Sequence, residues 1–416
     1  MRIYFSGIGG VGIGPLSKIA LDAGYSVCGS DNSPSLITDE LAAAGITISF
    51  NQSGTFLQAE HDKDPFDWLI YTAALPEDHP ELVLARKLGI KTSKRDELLA
   101  QIIVDKNLKL IAVAGTHGKT TTTSMLVWTM QQLHIPVSFS VGSTLSFGPS
   151  GLFDPKSEYF IYECDEFDRN FLHFSPEISL ITSVDYDHPD TYPTKESYLS
   201  AFREFGEKSQ KIIAWQENAT VFDQKNLFTM REIDQNITLP GIHNRKNATL
   251  VIEAIKSMDV PAEQFAIYQA INSFPGSGRR FEKLADNLYS DYGHHPIEIS
   301  ATLQMARELS DQVVLVYQPH QNVRQHEIID QYTADIFHDA DEVYWLPTYL
   351  TRENPDLPIL TPQQLAKNID PEKLYFAEMD DDLWHAITKA QATGKLVLCM
   401  GAGTIDGWLR TRLATA

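Results

Sequence analysis

The stretch AVAGTHGKTTTT, residues 112–123, places a glycine-rich turn between two apolar segments. Residues 108–113 (LKLIAV) are short, apolar and β-branched, which predicts a buried strand. Residues 121–133 carry apolar side chains at a spacing compatible with a helix. A glycine turn between a strand and a helix directs backbone N–H groups and the positive end of the helix dipole at one point. The stretch therefore predicts an anion site within an α/β fold.

The side chains of this turn suit a nucleoside triphosphate. Lys119 brings a full positive charge, and the Thr120 hydroxyl is a ligand for magnesium. The general pattern G-x-x-x-x-G-K-[ST] is not matched throughout, because Val113 stands at its first glycine. The alternative is a chance glycine–lysine turn, but strand, turn and helix occur here together. The candidate ATP contacts are Gly115, Thr116, His117, Gly118, Lys119, Thr120 and Thr121.

Composition excludes several classes of protein. A length of 416 residues allows two or three domains. The net charge of −21 opposes general binding to nucleic acid or to an anionic membrane. No apolar run reaches the length of a membrane span, and glycines interrupt the N-terminus before a signal sequence can form. The widely spaced Cys28, Cys164 and Cys399 suggest a reducing compartment. We expect a cytoplasmic monomer or homodimer.

A second glycine motif, GIGGVG, spans residues 7–12 after a strand-like segment. Gly7, Gly9 and Gly12 satisfy G-x-G-x-x-G between a predicted strand and a helix expected from about Pro15. A second predicted strand ends at Asp31, whose carboxylate is placed to bond a ribose hydroxyl. Taken alone, the motif fits NAD, FAD or a nucleotide-sugar diphosphate. An NAD oxidoreductase is one interpretation, but it leaves the phosphate loop unexplained.

Predicted strands and helices alternate along most of the chain, which indicates three α/β domains in series. We predict a Rossmann-like N-terminal domain at residues 1–106, a central P-loop ATPase-type domain at residues 107–274 and a Rossmann-like C-terminal domain at residues 275–416. The boundaries follow the link VDKNLK and the connector SFPGSGRRF, which is rich in glycine and proline. Residues 206–240 predict only mixed short elements.

Acidic residues gather at the end of another predicted strand, in YECDEFD, residues 162–168; they are Glu163, Asp165, Glu166 and Asp168. Carboxyl ends of parallel strands form ligand crevices, so a carboxylate here is the expected second anchor for magnesium. The alternative is a solvated acidic turn. The next predicted strand ends in DHPD, residues 187–190, where His188 is either a ligand of a second metal or a structural histidine.

Two later motifs offer groups for the base and phosphates of a nucleotide. In GIHNRKN, residues 241–247, Asn244 and Asn247 share one side of a predicted helix. Their amides suit an adenine edge, although asparagine is also common at helix N-caps. In SGRRFE, Arg279 and Arg280 are placed to neutralise phosphate charge, and interdomain salt bridges are the alternative.

A third late motif, DYGHHP at residues 291–296, follows a predicted strand. Asp291 is suited to a ribose, and His294 or His295 to a phosphate. The alternatives are a proline-bounded turn or a metal site.

All these motifs occur in one order, with GRRF, DYGHHP, YQPH and GAG closing the series. The sequence resembles the Mur ligases over essentially its whole length, and it is closest to the branch that adds L-alanine. The resemblance implies a nucleotide-sugar-binding domain, an ATPase domain and a C-terminal domain that closes over the amino acid. It also implies that GIGGVG holds the diphosphate of a UDP-sugar rather than NAD.

The activity implied by the resemblance is amide formation between the carboxylate of UDP-N-acetylmuramate and L-alanine. ATP and Mg²⁺ drive it through an acyl phosphate, in peptidoglycan precursor synthesis. The candidate substrate-binding residues are Gly7, Gly9, Gly10, Gly12, Asp31, Thr72 and Arg324.

The resemblance further implies roles for individual residues. The candidate catalytic residues are Lys119, His188 and Arg280, and the candidate metal ligands are Thr120, Glu163 and His188. The remaining candidate ATP contacts are His243, Asn244, Asn247, Arg280, Asp291 and His294. Among these, His243 and Asn244 are expected to meet adenine, and Asp291 to meet ribose.

The chain also departs from the L-alanine branch. Cys164 and Phe167 stand where that branch commonly has alanine and serine, and an aromatic residue at the second position is similar to the murein peptide ligase. That enzyme joins a recycled tripeptide to UDP-N-acetylmuramate, and it is the nearest alternative. QNVRQH, residues 321–326, also differs from the branch. A switch that hydrolyses ATP without ligation is an alternative from another class.

Overall fold

Strands and helices alternate along the chain, as the sequence predicts. The computed structural model describes residues 1–72, 74–188, 191–223, 225–351 and 353–415. Internal contacts divide the chain into two units, residues 1–232 with 249–274, and residues 233–248 with 275–416. The first unit holds two sheets and the second holds one. The predicted α/β fold of three domains is therefore confirmed.

The N-terminal domain is built on a parallel sheet. In the described part of the chain its strands are β1 Arg2–Ser6, β2 Ser26–Ser30, β3 Thr47–Ser49, β4 Trp68–Tyr71 and β5 Lys91–Ser93. Its helices are α1 Ile13–Asp22, α2 Leu36–Ala43, α3 Thr55–Lys63, α4 Pro80–Leu88 and α5 Arg95–Asp105. The strand order is β3-β2-β1-β4-β5. Because Ser6 pairs with both Ser30 and Tyr71, the carboxyl ends of β1, β2 and β4 meet at one edge.

The central domain places the phosphate loop in the middle of its sheet. Its described strands are β6 Lys109–Ala114, β7 Ser138–Ser140, β8 Gly151–Leu152, β9 Tyr159–Glu163, β10 Ile178–Ile181, β11 Lys211–Trp215 and β12 Leu227–Met230. The helices that follow in sequence are α6 Lys119–Gln132, α7 Lys195–Lys208, α8 Ile242–Ser257 and α9 Gln264–Asn272. The order β12-β11-β10-β6-β9-β7-β8 sets β6 between β9 and β10. The loop after β6 is therefore flanked by the ends of both neighbours.

The C-terminal domain repeats this architecture. Its described strands are β13 Glu282–Ala285, β14 Leu288–Asp291, β15 Val313–Tyr317, β16 Glu342–Trp345, β17 Leu374–Phe376 and β18 Leu396–Met400. Its helices are α10 Pro296–Leu309, α11 Asn322–Ile328, α12 Pro362–Leu365, α13 Asp381–Ala392 and α14 Ile405–Thr415. The order is β13-β14-β18-β15-β16-β17, and β13 with β14 forms an antiparallel edge. The loops after β14, β18 and β15 lie side by side.

One apolar core runs through both domains of the first unit. It includes Ile3 of β1 and Phe160 of β9, and neither side chain is exposed. The β7–β8 hairpin packs on α1, where a Cβ at Gly151 would lie 2.9 Å from Cβ of Pro15. This approach therefore requires glycine, and it joins the domain of the GIGGVG turn to that of the phosphate loop.

Several elements differ from the sequence predictions. Helix α6 begins at Lys119 rather than Thr121, because Gly118 (φ 83°) completes the turn just before it. Residues 206–240 contain β11 and β12, which the sequence pattern did not resolve because both are short and β12 is an exposed edge. Among the described residues, no helix is both long and apolar enough to cross a membrane. Cys28, Cys164 and Cys399 are buried and free.

Candidate functional site

The loop between β6 and α6 depends on its two glycines. Gly115 (φ 137°) and Gly118 (φ 83°) have backbone conformations that other residues rarely adopt. A Cβ at Gly115 would lie 2.3 Å from Oγ1 of Thr182, so the loop packs closely on the end of β10. Because α6 starts directly after Gly118, the N–H groups of its first turn have no acceptor within the helix. Such groups bind anions.

The first half of the loop is held by the segment that follows β10. The Thr116 hydroxyl donates to the carbonyl oxygen of Asp185 at 2.7 Å and lies 2.7 Å from the Tyr198 hydroxyl. The backbone N–H groups of Thr116 and His117 donate to the Ser183 carbonyl and hydroxyl oxygens, respectively. These two predicted ATP contacts therefore shape the loop. The N–H groups at the start of α6 are suited to bind a phosphate.

Lys119 pairs with a buried carboxylate. Its Nζ lies 2.7 Å from Oε2 of Glu166 and donates to the Gly115 carbonyl oxygen at 2.6 Å. The Lys119 side chain is 14% exposed and that of Glu166 is 0% exposed. Burial disfavours the charged lysine, but the charges of Glu166, Asp165 and Glu163 outweigh it, and the pKa of Lys119 lies above its usual value. Lys119 is therefore a fixed cation at the loop.

Thr120 and Glu163, both predicted to hold magnesium, are in contact. The Thr120 hydroxyl donates to Oε1 of Glu163 at 2.7 Å. The other oxygen, Oε2, accepts from the backbone N–H of Gly142 at 2.8 Å. A Cβ at Gly142 would lie 2.9 Å from Oε1 of Glu163, so a side chain there would displace the carboxylate from this position. The hydroxyl and the carboxylate thus form a fixed pair of oxygen donors.

A second group of donors surrounds His188. Ligand atoms of Asp165, Glu166 and His188 all lie within 4.8 Å of one another. His188 Nε2 is 3.8 Å from Oε1 of Glu166, and its ring meets the Phe167 ring edge to face at 5.2 Å. Carboxylate oxygens with one imidazole nitrogen suit a hard divalent cation. Pro189 and Asp190 of the same motif lie outside the described residues.

The GIGGVG turn lies against two of the predicted substrate residues. A Cβ at Gly7 (φ 79°) would lie 2.6 Å from Cγ2 of Thr72. Gly9 donates its N–H to Oδ2 of Asp31 at 2.7 Å, and Gly10 donates to the Gly7 carbonyl oxygen at 3.1 Å. The same carboxylate accepts from the backbone N–H of Asn32. Asp31 thus holds the turn in shape, a role that the sequence analysis did not foresee.

In the second unit, the start of α8 carries the predicted adenine contacts. Asn244 Nδ2 donates to the Pro240 carbonyl oxygen at 3.1 Å, so this side chain also supports the helix start, and Asn247 is buried. Burial lowers the pKa of His243 to about 4, which keeps its ring neutral. Within the described residues, Nδ1 of His243 is buried without a hydrogen-bond partner. A polar atom in that state is suited to a ligand.

Asp291 lies at the carboxyl end of β14 and is buried. Its two oxygens accept from the backbone N–H groups of Gly293 and Phe281, each at 2.7 Å. Burial raises its pKa to about 6. Arg280 lies 3.6 Å from Glu298, and Arg279 lies 3.6 Å from Asp406. These ion pairs are formed within the second unit.

His294 and Arg324 are brought together. Arg324 Nη1 donates to Nε2 of His294 at 2.6 Å, and Nδ1 of His294 faces the Tyr292 carbonyl oxygen at 3.2 Å. Burial lowers the pKa of His294 to about 4, so the ring is neutral and carries its proton on Nδ1. Its neighbour His295 is the N-cap of α10. Of the two histidines, His294 contacts another predicted site residue.

Glu166 makes a contact that the sequence pattern did not indicate. It is one of four carboxylates in YECDEFD, and the family resemblance pointed to Glu163 among them. The structure shows that Glu163 meets Thr120 while Glu166 meets Lys119, with the Tyr198 hydroxyl 3.4 Å from Oε1 of Glu166. The spacing of three residues between the two glutamates was the available signal, but it did not show which cation each would face.

Models of known protein families match most of the chain. A model described as the Mur ligase family catalytic domain matches residues 2–107, one for the Mur ligase middle domain matches residues 113–225, and one for the Mur ligase glutamate ligase domain matches residues 279–403. Together they span most of the chain.

Full-length relatives carry a common name. The UDP-N-acetylmuramate–L-alanine ligase of Porphyromonas gingivalis is 32% identical over 97% of this chain and 96% of its own. The protein of that name from Flavobacterium johnsoniae is 33% identical over 97% of this chain and 95% of its own. Identity at this level over nearly the whole length of each protein establishes a common family.

Solved structures extend the likeness to three dimensions. The UDP-N-acetylmuramate-alanine ligase MurC of Thermotoga maritima superposes with a TM-score of 0.73 and 25% identity, covering 100% of this chain and 99% of its own. A murein peptide ligase of Psychrobacter arcticus has the same fold, with a TM-score of 0.63, 22% identity, and coverage of 100% and 98%. With the phosphate loop, the paired glutamates and the three α/β domains in place, the chain belongs to the Mur ligase family.

Proposed function

We propose that this protein is an ATP-dependent ligase that joins the carboxylate of UDP-N-acetylmuramate to the amino group of L-alanine in peptidoglycan precursor synthesis. The observation that carries the proposal is the phosphate loop, in which Lys119 is fixed by Glu166 beside the Thr120–Glu163 pair. The relatives of matching length that are named for this reaction support the same acceptor.

The reaction needs ATP because a carboxylate is a poor acyl electrophile. One carboxylate oxygen attacks the γ-phosphorus, the bond to the β-phosphate oxygen breaks, and ADP leaves. The amine of L-alanine then attacks the acyl phosphate, inorganic phosphate leaves, and the nitrogen loses a proton. Much of the catalysis is positioning and charge neutralisation.

Lys119 supplies the fixed cation in this scheme. An ammonium has three donors, and Gly115 and Glu166 occupy two of them at close range. A third and longer contact joins Nζ to the Thr116 carbonyl oxygen at 3.5 Å, and we propose that a phosphate oxygen takes the place of this weak contact. Arg280 adds a second cation, since arginine binds phosphate through a planar pair of donors. We assign both residues to neutralising charge as the γ-phosphoryl group moves.

The donor groups of the first unit fit Mg²⁺. We propose that Thr120 and Glu163 hold one ion, and that His188, with Asp165 and Glu166, holds a second. Hard oxygen donors dominate both groups, and these are the donors that Mg²⁺ prefers. When bound, the ions neutralise phosphate charge and orient the phosphate and carboxylate oxygens.

The remaining assignments follow the family resemblance. We propose that His243 and Asn244 contact adenine, that Asn247 supports them, that Asp291 contacts ribose and that His294 lies at a phosphate. The UDP-sugar is bound by Thr72, Asp31 and the glycines of the GIGGVG turn. Arg324 is a further substrate-binding residue. The proposed domain limits are residues 1–106, 107–274 and 275–416. We place the reaction in the cytoplasm, since the three cysteines are free.

The alternative acceptor is a recycled tripeptide. Phe167 favours it, because this aromatic side chain is 39% exposed and lies against His188. A larger acceptor gains contact area from an exposed ring beside the site. The names of the full-length relatives favour L-alanine.

A competition assay separates these functions. Purified protein is incubated with ATP, Mg²⁺ and UDP-N-acetylmuramate and with equal concentrations of L-alanine, glycine, L-serine and the tripeptide. The products are then identified by mass spectrometry. We expect the L-alanine adduct to dominate, with one phosphate released per amide formed. A dominant tripeptide adduct would establish the alternative acceptor. ADP release that does not require UDP-N-acetylmuramate would indicate a hydrolytic switch.

A further inference from the structure

The third glycine of the GIGGVG turn is covered by an arginine from a distant part of the sequence. A Cβ at Gly12 would lie 2.6 Å from Nη1 of Arg95. The backbone of Gly12 does not itself require glycine, because its φ of −98° is accessible to any residue. A methyl group at residue 12 would therefore displace the end of the Arg95 side chain, and glycine lets the guanidinium lie directly over the turn.

Buried partners hold this guanidinium in place. Arg95 is the first residue of α5, and its Nε lies 3.4 Å from Oδ2 of Asp96. The Asp96 side chain is 3% exposed and also accepts a hydrogen bond from the Tyr162 hydroxyl of β9. The Arg95 side chain is 38% exposed. One edge of the guanidinium therefore faces a buried carboxylate, while part of the side chain remains accessible to a ligand.

Two sources of positive potential coincide at Gly12. Helix α1 begins directly after Gly12, so its N-terminus lies at the turn. The guanidinium adds a full charge and a planar set of N–H donors that matches two oxygens of a phosphate. A structural ion pair would need only the contact between Arg95 and Asp96. The position of the guanidinium over Gly12 contributes nothing to that ion pair, but it suits an anion at the turn.

We propose that Arg95 binds the diphosphate of the UDP-sugar at the GIGGVG turn, and that Asp96 and Tyr162 position its guanidinium there. The inference rests on the proposed function and adds a binding residue to it. Arg95 is assigned to the diphosphate rather than to the lactyl carboxylate of the same substrate, because Nη1 lies at the N-terminus of α1.

Calorimetric titration without ATP tests the assignment. UDP-N-acetylglucosamine carries the diphosphate but lacks the lactyl carboxylate, and UDP-N-acetylmuramate carries both. We expect Arg95→Gln to weaken both ligands by the same factor, about 10- to 100-fold, as for loss of charged hydrogen bonds. Arg95→Lys should recover part of this loss. Arg86→Gln is the matched control, since Arg86 is an exposed arginine of the same domain.

A variant that keeps Arg95 tests the geometry independently. Gly12→Ala places a methyl group where Nη1 lies, so it should weaken both ligands by a similar factor. Because both changes disturb one contact, the double variant should lose less than the product of the two factors. Tyr162→Phe tests the positioning: it should raise KM for UDP-N-acetylmuramate more than KM for ATP, with kcat nearly unchanged.

Each outcome decides the proposal. Unchanged affinity of Arg95→Gln for both ligands overturns it and leaves Arg95 a structural ion pair. Loss of affinity for UDP-N-acetylmuramate alone also overturns it, because Arg95 would then bind the lactyl carboxylate rather than the diphosphate. If Arg95→Gln does not fold, wild-type affinity in Gly12→Ala and Arg95→Lys overturns it, and matched losses support it. A wild-type protein that binds neither ligand overturns the proposed function itself.

Discussion

At the scale of single residues, the phosphate loop shows how one lysine acquires a fixed charge. Lys119 is largely buried, and the Glu166 carboxylate compensates the cost of removing its ammonium from water. Glu163 is engaged separately by Thr120 and Gly142. The two glutamates therefore have different roles. Glu166 orients the lysine, and Glu163 completes the pair of oxygen donors proposed for Mg²⁺.

Lys119→Ala should abolish ligation while leaving UDP-sugar binding nearly intact. The loss of the cation removes charge neutralisation of the γ-phosphoryl group, for which we expect a drop in kcat of about 10²- to 10³-fold or more. The GIGGVG turn is unaffected, since it lies in the other domain of the first unit. Phosphate release and titration of UDP-N-acetylmuramate measure the two effects. Lys109→Ala, an exposed lysine of β6, is the control. Equal loss of both functions would contradict this division.

Loss of the Lys119 ammonium should also lower stability, and a second change should restore part of it. Lys119→Met leaves the buried Glu166 carboxylate unpaired, which costs about 3–5 kcal/mol of unfolding free energy. Lys119→Met with Glu166→Gln should cost clearly less than Lys119→Met alone, because no unpaired charge remains buried. Urea denaturation of the single and double variants measures the difference. A double variant as unstable as the sum of the single variants would show that the pair is not coupled.

At the scale of elements, local patterns predicted most helices and strands but not their contacts. The start of α10 is one that local residues mark, since His295 is its N-cap and Pro296 its first residue. Helix α10 then holds the start of α8: Glu308 accepts from the backbone N–H of Gly241 at 2.9 Å and pairs with Arg245 at 2.8 Å. No periodicity in either segment indicates that these two helices meet.

The α8–α10 contact should give the second unit a dependence on pH. Hydrogen bonding to Arg245 lowers the pKa of Glu308 to about 2 from a usual value of 4.5. A lowered carboxyl pKa contributes stability that is present above pH 4.5 and is lost as the pH falls towards 2. Glu308→Gln should therefore reduce the unfolding free energy by about 2 kcal/mol at pH 7 and by much less near pH 2.

Urea denaturation at a series of pH values measures this effect. Glu372→Gln, an exposed glutamate of the same unit, is the control and should change stability little at any pH. A Glu308→Gln deficit that stays constant from pH 7 down to pH 2 would show that the carboxylate charge is not the source of the stability.

At the scale of the whole molecule, the chain divides into two compact units. One core runs from β1 through β9 in the first unit, while two others cover the faces of the third sheet. The GIGGVG turn and the phosphate loop both belong to the first unit. Unfolding need not be a single two-state transition in a protein built this way.

Calorimetric melting should therefore show more than one transition, and the UDP-sugar should raise the one that belongs to the first unit. At a ligand concentration 100 times Kd, binding to the folded form adds about 2.7 kcal/mol. The GIGGVG turn is part of that unit, so the binding free energy should raise the melting temperature of the first unit. UDP-N-acetylglucosamine serves as a second ligand, and AMP as one that should not act at this turn. A uniform shift of all transitions by UDP-sugar would show that the units unfold together.

The sequence alone was sufficient for the α/β class, the order of the motifs, the family, and the choice of Thr120 and Glu163 as candidate ligands of one metal site. These conclusions depend on local signals: a strand, a glycine turn and a helix are encoded by residues that are adjacent in the chain. Lys119 could be chosen for this reason, whereas Glu163 and His188 were selected among their neighbours by the family resemblance.

Only the tertiary structure decided which groups meet across the sheet. Glu166 faces Lys119 and Arg95 covers Gly12, because β9 lies beside β6 and α5 brings its first turn to the glycine motif. Strand order and helix packing are set by burial of the whole core, and no local periodicity records them. The partner of each charged side chain therefore emerged only when the chain was folded.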